Sequence, residues 1–197
     1  MHPLSFIPCD TPGAFDALVG IHTEYLAWVH GEIAQAFATA GSSAVDAPDP
    51  DSPTELVHTL CVQRPPTGVA YLITVDGSPA GMCGLRSLGG GAAEIKRLYV
   101  RPAYRGMHVG DMALRKLLAD AGRFGHARVC LDTAPFMQSA QRLYAAHGFT
   151  DCAPYEGSEV PPTLRSRWRF MQRMVGGLPG AMQAQPQPGR HARASGP

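Results

Sequence analysis

Three short runs of β-branched and aromatic residues, separated by two glycine-marked turns and followed directly by a helical pattern, constrain this chain more than any other feature. Val69–Val75 holds Val, Tyr, Leu, Ile and Thr, residues that suit a pleated, half-buried surface. Asp76-Gly77 is a dipeptide that accepts positive φ at both central positions of a two-residue hairpin turn. A second strand is therefore expected over Pro79–Arg86. Gly89 to Gly91 marks another turn, and Glu94–Val100 completes a three-stranded antiparallel meander. A helix is expected from about Val109 to Gly122, because Val109, Met112, Ala113, Leu117 and Ala121 recur on one side.

The flanks extend this pattern. Leu4–Pro8 reads as a first strand, and Thr11 can cap a helix whose core positions are Phe15, Leu18, Val19, Leu26 and Val29. A short helix is expected around Glu55–Cys61. Downstream, Ala127–Asp132 reads as a buried strand. A helix after Thr133 and Pro135 runs to His147 and is closed by Gly148, where left-handed geometry ends helices. Phe149 opens another strand, and Trp168–Val175 is a last strand that can pair with it. Antiparallel strands followed by a strand, helix, strand, helix, strand half imply a mixed sheet covered by helices on both faces, an α/β or α+β sandwich. Residues 1–175 are expected to form one domain. The Gly, Ser, Asp and Pro composition of 41–54 reads as a mobile loop, and the Gly, Pro, Gln and Ala-rich 176–197 as a disordered tail.

Composition excludes several classes of function. At 197 residues and 45% hydrophobic, the chain can bury one core and is short for two domains. A net charge of +1 without a basic stripe argues against a nucleic-acid partner. No apolar run approaches the roughly 20 residues of a membrane helix, and the N-terminus lacks a signal pattern, so a cytoplasmic protein is expected without a membrane partner. The five cysteines are Cys9, Cys61, Cys83, Cys130 and Cys152, with no Cys-x-x-Cys pair. Cys83 and Cys130 fall in apolar strands and read as inert buried thiols. The eight histidines lack ligand spacing, so no metal is implied. Oligomeric state is not legible, which leaves a homodimer open.

Candidate chemistry concentrates at Val100-Arg101-Pro102-Ala103-Tyr104-Arg105-Gly106-Met107-His108-Val109-Gly110, which joins a strand end to a helix start. A helix N-terminus offers unpaired amide donors and partial positive charge, and Gly106 and Gly110 let an anion approach. Each charge-assisted hydrogen bond there contributes roughly 1.5–3 kcal/mol, so several can hold a diphosphate without a lysine. The bland alternative is an ordinary glycine-containing turn. A P-loop is excluded by the missing Gly-Lys-Ser/Thr, and a dinucleotide fold by the missing G-x-G-x-x-G.

Glu94-Ile95-Lys96-Arg97-Leu98-Tyr99-Val100-Arg101-Pro102, the Arg105–Gly110 loop and Ala140-Gln141-Arg142-Leu143-Tyr144-Ala145-Ala146-His147-Gly148-Phe149 closely resemble the motifs of the GNAT acetyltransferases, in that family's order and spacing. The resemblance is strongest from about Val69 to Tyr155. It implies a mixed, mostly antiparallel sheet with a splayed strand pair forming an acyl-CoA cleft. It further implies acetyl-CoA as acyl donor and transfer of its acetyl group to an amine of a small molecule or peptide, by direct attack in a ternary complex. A second reading is an acyl-CoA-binding regulatory module of the same fold with little or no turnover. By resemblance, Leu98, Tyr99 and Val100 pair with the pantetheine arm. Arg105, Gly106, Met107, His108, Val109 and Gly110 bind the pyrophosphate, with Asp111 adding one further amide. The sequence departs from the family at His108, where glycine is usual. Were positive φ required there, the side chain would cost on the order of 1–2 kcal/mol, while a protonated imidazole would instead add charge against phosphate. Met137 stands where many members carry a cofactor-contacting asparagine.

Acetyl transfer makes two proton demands. An alkyl amine with a pKa near that of lysine, about 10.4, is neutral in only about one molecule per thousand at pH 7, so a base is needed. Glu94 matches the acidic base of some family members; it reads alternatively as a solvated carboxylate or an ion pair with Lys96 or Arg97. The departing thiolate needs an acid, which resemblance places at Tyr144, whose alternative is a core tyrosine. An acyl-cysteine route through Cys83 or Cys130 lacks a placed histidine partner. Tyr25, Trp28, Tyr155 and Trp168 are candidate acceptor walls or core aromatics.

Overall fold

The computed structural model describes residues 3–38 and 52–176. Its elements are β1 (Leu4–Pro8), α1 (Pro12–Ala38), α2 (Pro53–Cys61), β2 (Gly68–Val75), β3 (Ser78–Gly89), β4 (Ala92–Val100), α3 (Val109–Arg123), β5 (Arg128–Thr133), α4 (Gln138–Ala146), β6 (Thr150–Asp151) and β7 (Arg169–Met174). The strands form one sheet in the order β1-β2-β3-β4-β5-β7-β6. Neighbours are antiparallel except β4 and β5. This is the mixed, mostly antiparallel sheet that the sequence predicts.

Local chemistry accounts for the element ends. Asp76 (φ 51°) and Gly77 (φ 76°) form the expected turn between β2 and β3. The Thr11 hydroxyl accepts from the Ala14 amide at 3.3 Å at the start of α1. Most of the loop expected at 41–54, and the tail beyond Gly176, lie outside the described residues. The end of that loop, however, belongs to α2: Ser52 Oγ accepts from the Glu55 amide at 3.3 Å, and Glu55 Oε2 accepts from the Ser52 amide at 3.0 Å. This reciprocal capping starts the helix earlier than its apolar positions suggest.

The side chains of β2 are buried on both faces of the sheet, and their alternation feeds two cores. On one face Tyr71, Ile73, Leu85 and Ile95 pack with Val109, Leu114 and Leu117 of α3 and Tyr144 of α4. On the other, Leu72, Met82 and Tyr99 pack with Leu18 and Ile21 of α1 and Val57 and Leu60 of α2. Each fully buried aliphatic side chain contributes roughly 1.5–3 kcal/mol. Helix α2 comes close at Gly84, where a Cβ would stand 2.6 Å from Leu60 Cδ1. A bond between Cys9 and Cys61 ties the end of β1 to the end of α2 across 52 residues, with Cα atoms 5.5 Å apart. Cysteine spacing gave no hint of that pairing; it arises because Cys9, just past β1, and Cys61 are buried in the same core on one face of the sheet.

One irregularity shapes the middle of the sheet. Met82 pairs with Tyr99 but Gly84 pairs with Lys96, so Cys83 faces both Arg97 and Leu98, and Arg97 takes φ 54°. Such a bulge bends its strand. Strand β4 pairs with β5 only at Ala92–Glu94 against Arg128–Cys130. Beyond those residues β5 continues to pair with β7 through Thr133, so β4 and β5 part company and leave a gap.

Candidate active site

The gap opens into a cleft of about 710 Å³. One wall is Leu98, Tyr99 and Val100 of β4; the opposite wall comes from Met137, Ala140, Leu143 and Tyr144. Tyr25 and Trp28 of α1 close it from the side, and the loop from Tyr104 to Gly110 forms its mouth.

That mouth is the N-terminal end of α3. The first helical bond runs from the Met112 amide to the His108 carbonyl at 3.0 Å, so the amides of Val109, Gly110 and Asp111 precede the intrahelical ladder. His108 supplies no side-chain cap, which leaves this end suited to an anion. Gly106 takes φ 79°, and the space where its Cβ would lie is open. His108 takes φ 59° and ψ 12°, the left-handed conformation anticipated for a position where the family uses glycine. A carboxylate in the first helical turn would repel a diphosphate, but that of Asp111 is engaged by Arg115 Nε at 2.8 Å and His147 Nε2 at 2.7 Å. The hydrogen bond from Arg115, then that from His147, holds its pKa below the usual carboxylate range.

Arg105 donates from Nε to the Val100 carbonyl at 3.1 Å, and its guanidinium lies 5.9 Å from the ring centroids of both Trp28 and Tyr99. Trp28 and Tyr99 stand 6.2 Å apart, Tyr25 lies 5.5 Å from Tyr99, and Phe136 meets Trp28 edge-on at 5.8 Å. Tyr144 is buried against Phe149. Burial, and then the neighbouring Tyr25, Asp132 and Cys83, push its phenol pKa up, so it carries its proton at neutral pH. Cys83 and Cys130 are buried, with burial raising both thiol pKa values, in keeping with inert thiols.

Of the residues singled out in the sequence, Leu98, Tyr99, Val100, Arg105, Gly106, His108, Val109, Gly110, Asp111, Met137 and Tyr144 all line the cleft. Met107 does not; its side chain is exposed at the surface. Glu94 does not either. It is fully buried, with Arg86 Nε 2.6 Å from Oε2, and the Tyr155 hydroxyl and Lys96 Nζ at 2.8 and 3.6 Å from Oε1. The ion-pair alternative, with Lys96 and with Arg86 rather than Arg97, describes its surroundings. Sequence reasoning passed over Asp132, Arg97 and Phe136, which line the cleft. Asp132 is the next-to-last residue of β5, a signal that acquires meaning only once that strand is known to border the gap.

Comparison with known proteins agrees with this geometry. The sequence profile of the Acetyltransferase (GNAT) family matches residues 32–149. An uncharacterised N-acetyltransferase of Schizosaccharomyces pombe is 30% identical over 115 residues, 57% of this chain and 71% of the yeast protein. The uncharacterised N-acetyltransferase YedL of Escherichia coli is 30% identical over 118 residues, 58% of this chain and 74% of YedL. The fold is shared with a GNAT-family acetyltransferase of Staphylococcus aureus Mu50, with a TM-score of 0.61 and 19% identity over 88% of this chain and all of that one. The chain belongs to the Acetyltransferase (GNAT) family and is an acyltransferase. N-acyltransferases of this fold use acetyl-CoA.

Proposed function

We propose that this protein transfers the acetyl group of acetyl-CoA to an amine of a small molecule or peptide by direct attack in a ternary complex. The reading is carried by the parting of β4 from β5 with the α3 N-terminus at the mouth of the gap. The residues present suit the donor. Amides of Val109, Gly110 and Asp111, with Gly106 and His108 in the turn, would hold the diphosphate, and Arg105 is long enough to join them. The unpaired edge of β4 at Leu98–Val100 offers main-chain groups to the pantetheine arm, and Met137 gives that arm an apolar rather than an amide neighbour. When bound, acetyl-CoA supplies the activated acyl group as a thioester.

Tyr144, protonated and set in the cleft wall, would donate to the departing thiolate. An amine entering between α1 and the bulged part of β4 meets the aromatic cluster of Tyr25, Trp28, Tyr99 and Phe136. Glu94 lies behind that wall, so any part it plays in removing the amine's proton is indirect. Titration calorimetry with coenzyme A, paired with release of free thiol from acetyl-CoA across a panel of primary amines, tests the reading. Binding with amine-dependent thiol release is expected. Binding without release for any amine would favour the regulatory module, and absence of binding would dismiss both.

A further inference from the structure

One hydroxyl in this protein stands between two carboxylates. Tyr155 Oη lies 2.8 Å from Glu94 Oε1 and 3.4 Å from Asp132 Oδ2. Glu94 is fully buried, with its charge balanced by Arg86 and Lys96, whereas Asp132 lines the cleft. Tyr155 is fixed from behind by Phe170, edge-on at 5.8 Å. Burial, then the charges of Glu94 and Asp132, push the Tyr155 phenol well above its ordinary pKa, so it keeps its proton. A phenol has a single proton to give and lone pairs to accept with. The shorter contact assigns that proton to Glu94, which turns an oxygen lone pair toward Asp132. An ionised Asp132 gains nothing from such a neighbour; a protonated Asp132 can donate to it.

We propose that Asp132 is the cleft-side proton acceptor of the reaction and that Tyr155, bonded to Glu94, is a positioning residue that receives a hydrogen bond from Asp132 once it is protonated. The proposal rests on the N-acetyl transfer reading. An entering ammonium breaks one N–H bond as Asp132 forms an O–H bond, and the neutral amine attacks the thioester carbonyl. Of the three ammonium protons one passes to Asp132, one balances the coenzyme A thiol and one remains on the product amide. Asp132 then returns its proton to solvent. Glu94 contributes at one remove, by holding the Tyr155 proton away from Asp132.

The test uses the full chain, acetyl-CoA and three alkylamine probes: tyramine, spermidine and the lysine side chain of an Nα-blocked peptide. Asp132→Asn should bind coenzyme A as the parent does yet lose kcat on the order of 10²- to 10³-fold at pH 7, the ceiling being the scarcity of neutral amine. That loss should shrink about tenfold per pH unit toward the amine pKa. Asp132→Ala should be partly rescued by formate. Tyr155→Phe should lower kcat about tenfold with little change in the acceptor KM, and should have under twofold effect in the Asp132→Asn background. Undiminished turnover in Asp132→Asn, a loss independent of pH with no formate rescue, or additive effects of the two substitutions would each overturn the proposal while leaving N-acetyl transfer standing. Failure of the parent protein to acetylate any probe would remove both.

Discussion

His108 takes φ 59° directly before Val109, the first residue of α3, so a side chain occupies the left-handed position at the turn proposed to grip the cofactor's diphosphate. Histidine tolerates this region better than most residues, yet relief by glycine should return on the order of 1–2 kcal/mol, offset by glycine's greater unfolded-state freedom of roughly 0.5–1 kcal/mol. His108→Gly is therefore expected to raise stability by no more than about 1.5 kcal/mol. By clearing the approach to the turn it should also tighten coenzyme A binding several-fold. Calorimetry reads the affinity and a urea titration the stability; weaker binding in the glycine variant would mean that the imidazole itself holds the cofactor.

Tyr144→Phe removes one hydroxyl from the cleft wall and keeps the ring packed on Phe149. Loss of a general acid costs about 10²-fold or more in rate. The expected outcome is a fall of that size in kcat with coenzyme A affinity within twofold of the parent. An unchanged rate would return Tyr144 to the core.

His22 is buried in α1. Burial, then the charge of Arg97, lowers its pKa from 6.5 to about 4. The folded state thus binds fewer protons than the unfolded chain between those values, and stability falls as pH drops through this window, by roughly 3 kcal/mol at most. His22→Leu should flatten that part of the stability profile. Chemical denaturation at half-unit steps from pH 7 to pH 4 measures it; parallel profiles for the two proteins would remove His22 as the source.

The bond between Cys9 and Cys61 closes a loop of about fifty residues that holds α1 and the whole of α2, which by chain entropy corresponds to roughly 2–4 kcal/mol. Adding reductant to the parent, or Cys61→Ser under oxidising conditions, should lower the denaturant midpoint accordingly, while Cys83→Ser should leave the response to reductant unchanged. Equal midpoints with and without reductant would show that the bond does not contribute in solution.

Much of the fold is legible without coordinates because its signals are local. The hairpin at Asp76-Gly77 depends on two residues that accept positive φ, and α3 on one apolar side repeating at helical spacing. The loop proposed to hold the cofactor, Arg105–Gly110, is equally local, since amides exposed at a helix N-terminus follow from backbone geometry alone, and of that loop only Met107 lies off the cleft. The side chains proposed to serve the chemistry are less legible. Glu94 and Asp132 are 38 positions apart, and nothing in their spacing says which of two carboxylates meets the cleft.

Local sequence accounts for the meander, the helix that follows it and the anion-receptive turn between them, because each is fixed by interactions among residues close along the chain. Tertiary structure alone decided where β4 leaves β5, that Cys9 meets Cys61, and that Tyr155 joins Glu94 to Asp132. Those outcomes depend on how the β4 bulge, the α1–α2 pair and the segment between β6 and β7 are packed, and such packing is settled by contacts summed over the whole core, not by any short stretch of residues.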